Sequence, residues 1–355
     1  MRIRNTHRRA AAVLAATALI VAACGGDDPA PAAPAAPAAP APDAPAPEAP
    51  REDVFISLAT GGTGGAYYPY GGGMAAVWTR ELPHVTASAE VTGASVENVR
   101  LIHSGEAQVA LIQADAMNFA LLGENDFTEP QDVRAIAWMY PNFIQMTMRQ
   151  GSGIERFEDL RGKRVAVGAA GSAAELGMRL IVEALGLTYD DFGATQRISF
   201  TDMTSAFRNN QIDLANYVGA LGLGALVDLS STENIDILTF TAEEMDTINA
   251  FAPFITRGVM PAGTYPGIDT DKEFIPSLAN FVVVNTNMDR LLAYELTKTL
   301  YENQPALEAA HPAGAFTFPE AMPIENAFVP IHCGALDYFA EIAVEIPANL
   351  VPDEC

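Results

Sequence analysis

Apolar and polar residues alternate along Val54-Phe-Ile-Ser-Leu-Ala59, the period-two pattern of a β-strand. Thr60-Gly-Gly-Thr-Gly-Gly-Ala-Tyr-Tyr-Pro-Tyr-Gly-Gly-Gly73 follows, and Met74, Val77 and Trp78 then fall at helical spacing. The first unit therefore reads as strand 54–59, glycine-rich turn, helix to about Leu82, strand 85–89, helix from Ser95 and strand 108–112. A second unit repeats the order: strand 164–168, turn Ala169-Ala-Gly-Ser172, helix to Leu185, strand 197–200, helix 202–209 and strand 211–218. Strands alternating with helices imply parallel βαβ units and open α/β sheets. Two such units imply two lobes, each turning the carboxyl ends of its strands toward a shared cleft. The apolar run from Trp138 to Met148, interrupted by Pro141, reads as a crossing between lobes, and Phe281-Val-Val-Val284 as the return. Leu291 to Leu300 reads as a helix packing back on the first lobe. The expected division is lobe one at 53–142 and 280–355, and lobe two at 143–279 with hinge segments.

Two places on this frame have the makings of an anion site. A strand passing through glycines into a helix leaves backbone N–H groups at the positive end of the helix dipole, which favours a carboxylate or phosphate. Residues 60–73 have this form, and Gly168-Ala-Ala-Gly-Ser-Ala-Ala-Glu175 has it again. No Gly-Lys-Ser/Thr follows either, which excludes a Walker-type nucleotide loop. A glycine-rich turn that is only a turn is the competing reading. Ser95 either caps its helix or faces the cleft. Gln113 and Asp115 follow a strand end, where open α/β sheets bind ligands, although Asp115 serves equally well as a helix cap. Tyr217 ends the matching strand of the second unit and either reaches a ligand or simply packs. Arg161, Lys163 and Arg164 read as solvated turn charges.

The amino terminus changes where such a site would work. Arg2, Arg4, Arg8 and Arg9 precede an apolar run from Ala10 to Ala23, too short to span a bilayer as a mature helix. The run ends Val21-Ala-Ala-Cys24-Gly-Gly, which resembles the lipobox of bacterial lipoproteins. That resemblance implies a signal peptide over 1–23, cleavage before Cys24 and a lipid on its sulfur, with the mature chain anchored in the periplasm. An ordinary signal peptide with an incidental cysteine is the alternative. Residues 24–52 are then a tether. Its Pro/Ala-rich part, about 22 residues at ~3.1 Å each, reaches roughly 70 Å as a polyproline-like chain. With 44 Asp and Glu against 20 Lys and Arg, and a formal charge of −24, the chain is a poor partner for nucleic acid or anionic lipid surfaces. Any anionic ligand must be captured by local dipoles against that field. Of the three cysteines, Cys333 and Cys355 remain to form a disulfide in an oxidising compartment, or stay free. No metal or cofactor motif is present. His84, His103, His311 and His332 lie outside any Gly-x-Ser-x-Gly or His-Glu-x-x-His context, which argues against an exported enzyme.

Several blocks together resemble one family. Thr60–Tyr70, Gly93-Ala-Ser-Val-Glu-Asn98, Gln113-Ala-Asp115, Asp159-Leu-Arg-Gly-Lys163, Gly168–Ser172, Met260-Pro-Ala-Gly-Thr-Tyr265-Pro-Gly and Pro330-Ile-His-Cys-Gly-Ala335 are similar, in this order, to the TAXI solute receptors of tripartite ATP-independent periplasmic (TRAP) transporters. The resemblance implies a two-lobed type II periplasmic binding fold with a hinge and an inter-lobe cleft. It implies capture of a small carboxylate, such as glutamate or 2-oxoglutarate, for delivery to membrane permease subunits. It places Thr60, Gly61, Thr63, Gly64, Tyr67, Ser95, Gln113 and Asp115 on the lobe-one side of the ligand. Asp115 is suited to an amino group, and Gly171, Ser172 and Ala173 would supply backbone amides from lobe two. Two positions depart from the family pattern: Ala173-Ala174 stands where a hydroxyl or glycine is common, and Cys333 where proline is usual. A sensory lipoprotein presenting ligand to a membrane partner would use the same fold.

Overall fold

The computed structural model describes residues 51–319 and 328–355; Cys24, the leader and the tether of the sequence reading lie outside them. The first half forms β1 (Val54–Ala59), α1 (Tyr67–Glu81), β2 (Val85–Glu90), α2 (Ser95–Ser104), β3 (Val109–Gln113), α3 (Ala114–Leu122) and β4 (Val133–Trp138). The chain then enters a second sheet through β5 (Asn142–Arg149), β6 (Arg164–Ala166), α4 (Ala173–Ala184), β7 (Ala194–Gln196), α5 (Phe200–Arg208) and β8 (Leu214–Gly219). That half continues with α6 (Gly224–Ser230), β9 (Ile235–Ile237), α7 (Ala242–Phe251), β10 (Thr256–Met260) and β11 (Lys272–Leu278). β12 (Asn280–Asn285), α8 (Arg290–Glu302), α9 (Gln304–Ala310) and α10 (Cys333–Glu341) complete the chain.

The first sheet has the order β2-β1-β3-β12-β4, with β12 antiparallel to both neighbours. In the second sheet β7, β6, β8 and β5 lie side by side with β5 antiparallel to β8, and β9 and β11 pair with the far edge of β5. Each sheet thus takes an antiparallel strand directly from the other: β5 follows β4 after three residues, Met139-Tyr140-Pro141, and β12 follows β11 after Ala279. The two lobes with paired crossings form the type II periplasmic binding fold.

Hydrophobic patterning explains the layers. β3 and β8 are buried at every residue, as central strands covered on both faces must be. α1 turns Tyr70, Met74, Val77 and Trp78 inward, and the Trp78 indole N–H donates to the Leu296 carbonyl at 3.0 Å, which ties α1 to α8. Trp138 stacks on Phe339 of α10 with ring centroids 4.8 Å apart. Cys333 and Cys355 are joined by a disulfide that pins the tail beside α10. One element moves against expectation. The second strand of the second unit is β7 at 194–196, not 197–200, because Ser199 takes the N-cap of α5, its Oγ accepting from the Asp202 amide.

Candidate functional site

A cavity of about 430 Å³ lies between the two sheets. Apart from Asn142 at the start of β5, its walls come from the carboxyl ends of six strands, three parallel strands in each sheet: 61–67 after β1, 91–95 after β2, Gln113 at the end of β3, 169 and 172–174 after β6, 199–202 after β7, and Val218-Gly219 at the end of β8. This is where open α/β sheets place ligands, because the strand ends leave a crevice that loops can line without disturbing the hydrogen-bonded sheet.

Four helices begin at the cavity: α1 and α2 from the first lobe, α4 and α5 from the second. At α4 the Ser172 hydroxyl donates to the Ala169 carbonyl and accepts from the Glu175 amide. That cap leaves the first-turn amides of Ala173 and Ala174, both cavity-lining, without a preceding helical carbonyl to bond. At α5 Ser199 likewise caps the Asp202 amide and leaves those of Phe200 and Thr201. Neither α1 nor α2 has a side-chain cap. Among the described residues no Lys, Arg or His lines the cavity, and Asp202, held by Ser199 Oγ, is the one charged side chain there. Any attraction of this lining for an anion therefore has to come from backbone dipoles.

The lobes meet around this space. A Cβ placed on Gly64 would lie 3.0 Å from Thr201 Oγ1, so glycine lets the first-lobe loop sit against the start of α5. The Glu97 amide donates to the Gly171 carbonyl at 3.3 Å. Arg179 of α4 donates to Asp126 at 2.6 Å, and Phe119 meets Phe254 edge to face.

The structure brings Gly61, Thr63, Gly64, Tyr67, Ser95, Gln113, Ser172 and Ala173 to the cavity and places four other candidates elsewhere. Thr60 is fully buried at the end of β1, its hydroxyl donating to the Glu90 carbonyl. Gly171 faces Glu97 instead of the cavity. Tyr217 is buried within β8 with its hydroxyl on Thr204, and its ring backs Phe200, which does line the wall. Asp115 lies behind Gln113 in the first turn of α3, where it accepts from the Ala116 amide and from Gln113 Nε2 and faces Gly177 of α4. Burial pushes its carboxyl up to about 7, against the pull of those hydrogen bonds and of Arg179. Ser95 does not cap α2: its Oγ accepts from the Gln113 amide of β3, at 3.1 Å.

Sequence reasoning missed Asn142, Ser199, Phe200, Thr201 and Asp202, all of which line the cavity. The Ser199-x-x-Asp202 cap was the available signal for the α5 wall. Asn142 carried no local signal. It anchors a buried network in which its Nδ2 donates to Gln113 Oε1 at 2.6 Å and to Asn280 Oδ1 at 2.9 Å, and the Tyr67 hydroxyl donates to the same Asn280 oxygen at 2.5 Å. Burial raises the Tyr67 pKa well above its ordinary value, so its hydroxyl stays protonated.

Ala94, at the mouth of α2, has φ +78° and ψ −153°, a region almost confined to glycine. Its conformation costs on the order of 1–3 kcal/mol, more than the unfolded-state entropy a glycine adds. Ala94→Gly is expected to raise stability by about 1 kcal/mol in denaturant unfolding; a destabilised variant would show that the strain is not there.

Two lobes turn their strand ends toward one cavity, the arrangement of the type II periplasmic binding fold. A family model matches residues 58–342, and the chain belongs to the NMT1-like family. Among solved structures it is similar to the alkanesulfonate-binding protein SsuA from Xanthomonas axonopodis pv. citri, at 12% identity over 85% of this chain and 83% of that one, with a TM-score of 0.43. The periplasmic aliphatic sulphonate binding protein SsuA from Escherichia coli is 10% identical over 83% and 90%, with a TM-score of 0.42. A protein from Archaeoglobus fulgidus is 15% identical over 84% and 91%, with a TM-score of 0.45.

Proposed function

We propose that this chain is an extracytoplasmic solute-binding receptor that closes over a small organic acid, and that it serves a TRAP-type uptake system as a TAXI receptor. The observation that carries the reading is the convergence of four helix amino termini on one cavity that no cationic side chain lines among the described residues. Such a site holds a carboxylate by N–H groups fixed in place before the ligand arrives, and enclosure away from water strengthens those bonds. A ligand touching both lobes favours the closed form by its differential affinity for it. The family motifs at 60–70, 93–98 and 168–172 all fall on the cavity wall or beside it, and the lipobox-like pattern before Cys24 supports work outside the cytoplasm.

Binding without catalysis fits the histidines. His332 Nδ1 accepts from the Gly334 amide and His311 Nδ1 from the Ala313 amide, as helix caps. His84 pairs with Glu295 and His103 with Asp132, and none of the four lines the cavity. Titration calorimetry with amino, hydroxy, oxo and unsubstituted mono- and dicarboxylic acids tests the receptor reading. At least one is expected to bind with micromolar or tighter affinity; silence across the panel would refute it.

A further inference from the structure

Asn142 begins β5, directly after the crossing between the sheets, and is 4% exposed. Its amide orientation is set by a neighbour that allows one choice. The Tyr140 carbonyl can only accept, so Asn280 turns its Nδ2 there at 2.8 Å and offers its Oδ1 to Asn142. Asn142 must then donate, and its second amide proton goes to Gln113 Oε1. Both donors are spent inside the network. Its Oδ1 is buried and has no hydrogen-bond partner among the described residues, on a side chain that lines the cavity. Nearby, the Tyr67 hydroxyl donates to Asn280 and is also hydrogen-bonded by Ser95, so it is satisfied within the protein and Asn142 Oδ1 is the acceptor left over. Buried polar atoms are almost always paired, and leaving one without a partner costs free energy.

The two sides of the cavity therefore have opposite needs. The helix amino termini offer N–H donors, and the floor offers the Asn142 side-chain carbonyl as an acceptor. We propose that Asn142 is the specificity-determining residue of this cavity, its side-chain carbonyl accepting from an ammonium or hydroxyl group that the ligand carries beside its carboxylate. This deepens the receptor reading above and rests on it. The ligand class is then an amino or hydroxy acid, and a 2-oxo acid of the same skeleton is disfavoured because it leaves the Asn142 oxygen unpaired. Asp115, which the sequence offered for an amino group, lies behind Gln113 and has no part in this contact.

The test is calorimetric titration of the purified protein with matched mono- and dicarboxylic acids that differ only at C2: amino, hydroxy, oxo and unsubstituted. The amino or hydroxy member is expected to bind about tenfold or more tightly than its oxo and unsubstituted counterparts, the size of one well-made hydrogen bond. Asn142→Leu is expected to bring the four members of a set to within about threefold of one another by weakening only those that carry a donor. Equal affinities for oxo and amino members in the wild type, or an unchanged ratio in a folded Asn142→Leu, would overturn the assignment. If an oxo or unsubstituted acid binds best, Asn142 is wrong and the receptor reading stands. If no acid binds, both fall.

Discussion

Gly168→Ala is expected to lower stability by about 2–4 kcal/mol and ligand affinity by more than tenfold, through backbone strain and a collision at the second-lobe wall. Gly168 sits at φ +129°, where L side chains are strained. A Cβ there would also lie 2.6 Å from the Glu175 amide nitrogen and 3.0 Å from the Ala174 carbonyl carbon. Those are backbone atoms of the first turn of α4, so relief requires that turn to move. The amides of Ala173 and Ala174 would move with it, and with them half of the proposed anion cradle. Gly72→Ala is the control: Gly72 lies on the exposed side of α1 with nothing within 4 Å of its missing Cβ, and alanine there is expected to be neutral or slightly stabilising. Denaturant unfolding of both variants, with calorimetry on the first, measures the effect. Equal stabilities for the two would remove the steric argument.

The second large effect is on pH. Asp115 is fully buried, and burial raises its carboxyl from 3.8 to about 7. A carboxyl that holds its proton more tightly in the folded than in the unfolded state makes stability fall as pH rises between those two values. Below about 4 both states are protonated and the group contributes nothing; above about 7 the folded protein carries the full cost of a buried charge. That cost is on the order of 4 kcal/mol. Asp115→Asn is expected to lose this downward slope, so that the stability difference between variant and wild type grows in the variant's favour from pH 4 to 7. A constant difference across that range would mean that Asp115 does not titrate there.

The frame of this protein was legible where burial leaves a periodic trace. β1 alternates, α1 repeats its apolar face, and the two βαβ units declare themselves by order. Legibility failed where strands are buried on both faces. β8 has no polar side, so nothing in its pattern says whether Tyr217 points to the cavity or to Thr204. β7 was misplaced because three residues of Arg197-Ile-Ser-Phe200 look strand-like until Ser199 is recognised as a cap. β9, β10 and β11 were not read; β9 is only three residues long, too short for its alternation to stand out. The glycine loop and the start of α4 were found, since a strand, glycines and a helix start are adjacent in sequence. The floor was not, because Asn142 meets its partner Asn280 across 138 residues of chain. Contacts of that kind are made by topology and leave no local mark.

The central claim is that the anion is held by backbone amides at the helix amino termini. A crystal structure of the protein with the tightest-binding acid of the calorimetric panel tests it most directly. A carboxylate is expected in the cavity within about 2.7–3.2 Å of the amide nitrogens of Ala173 or Ala174, or of Phe200 or Thr201. A carboxylate bound by an arginine or lysine side chain, or a ligand seated outside the cavity, would contradict it.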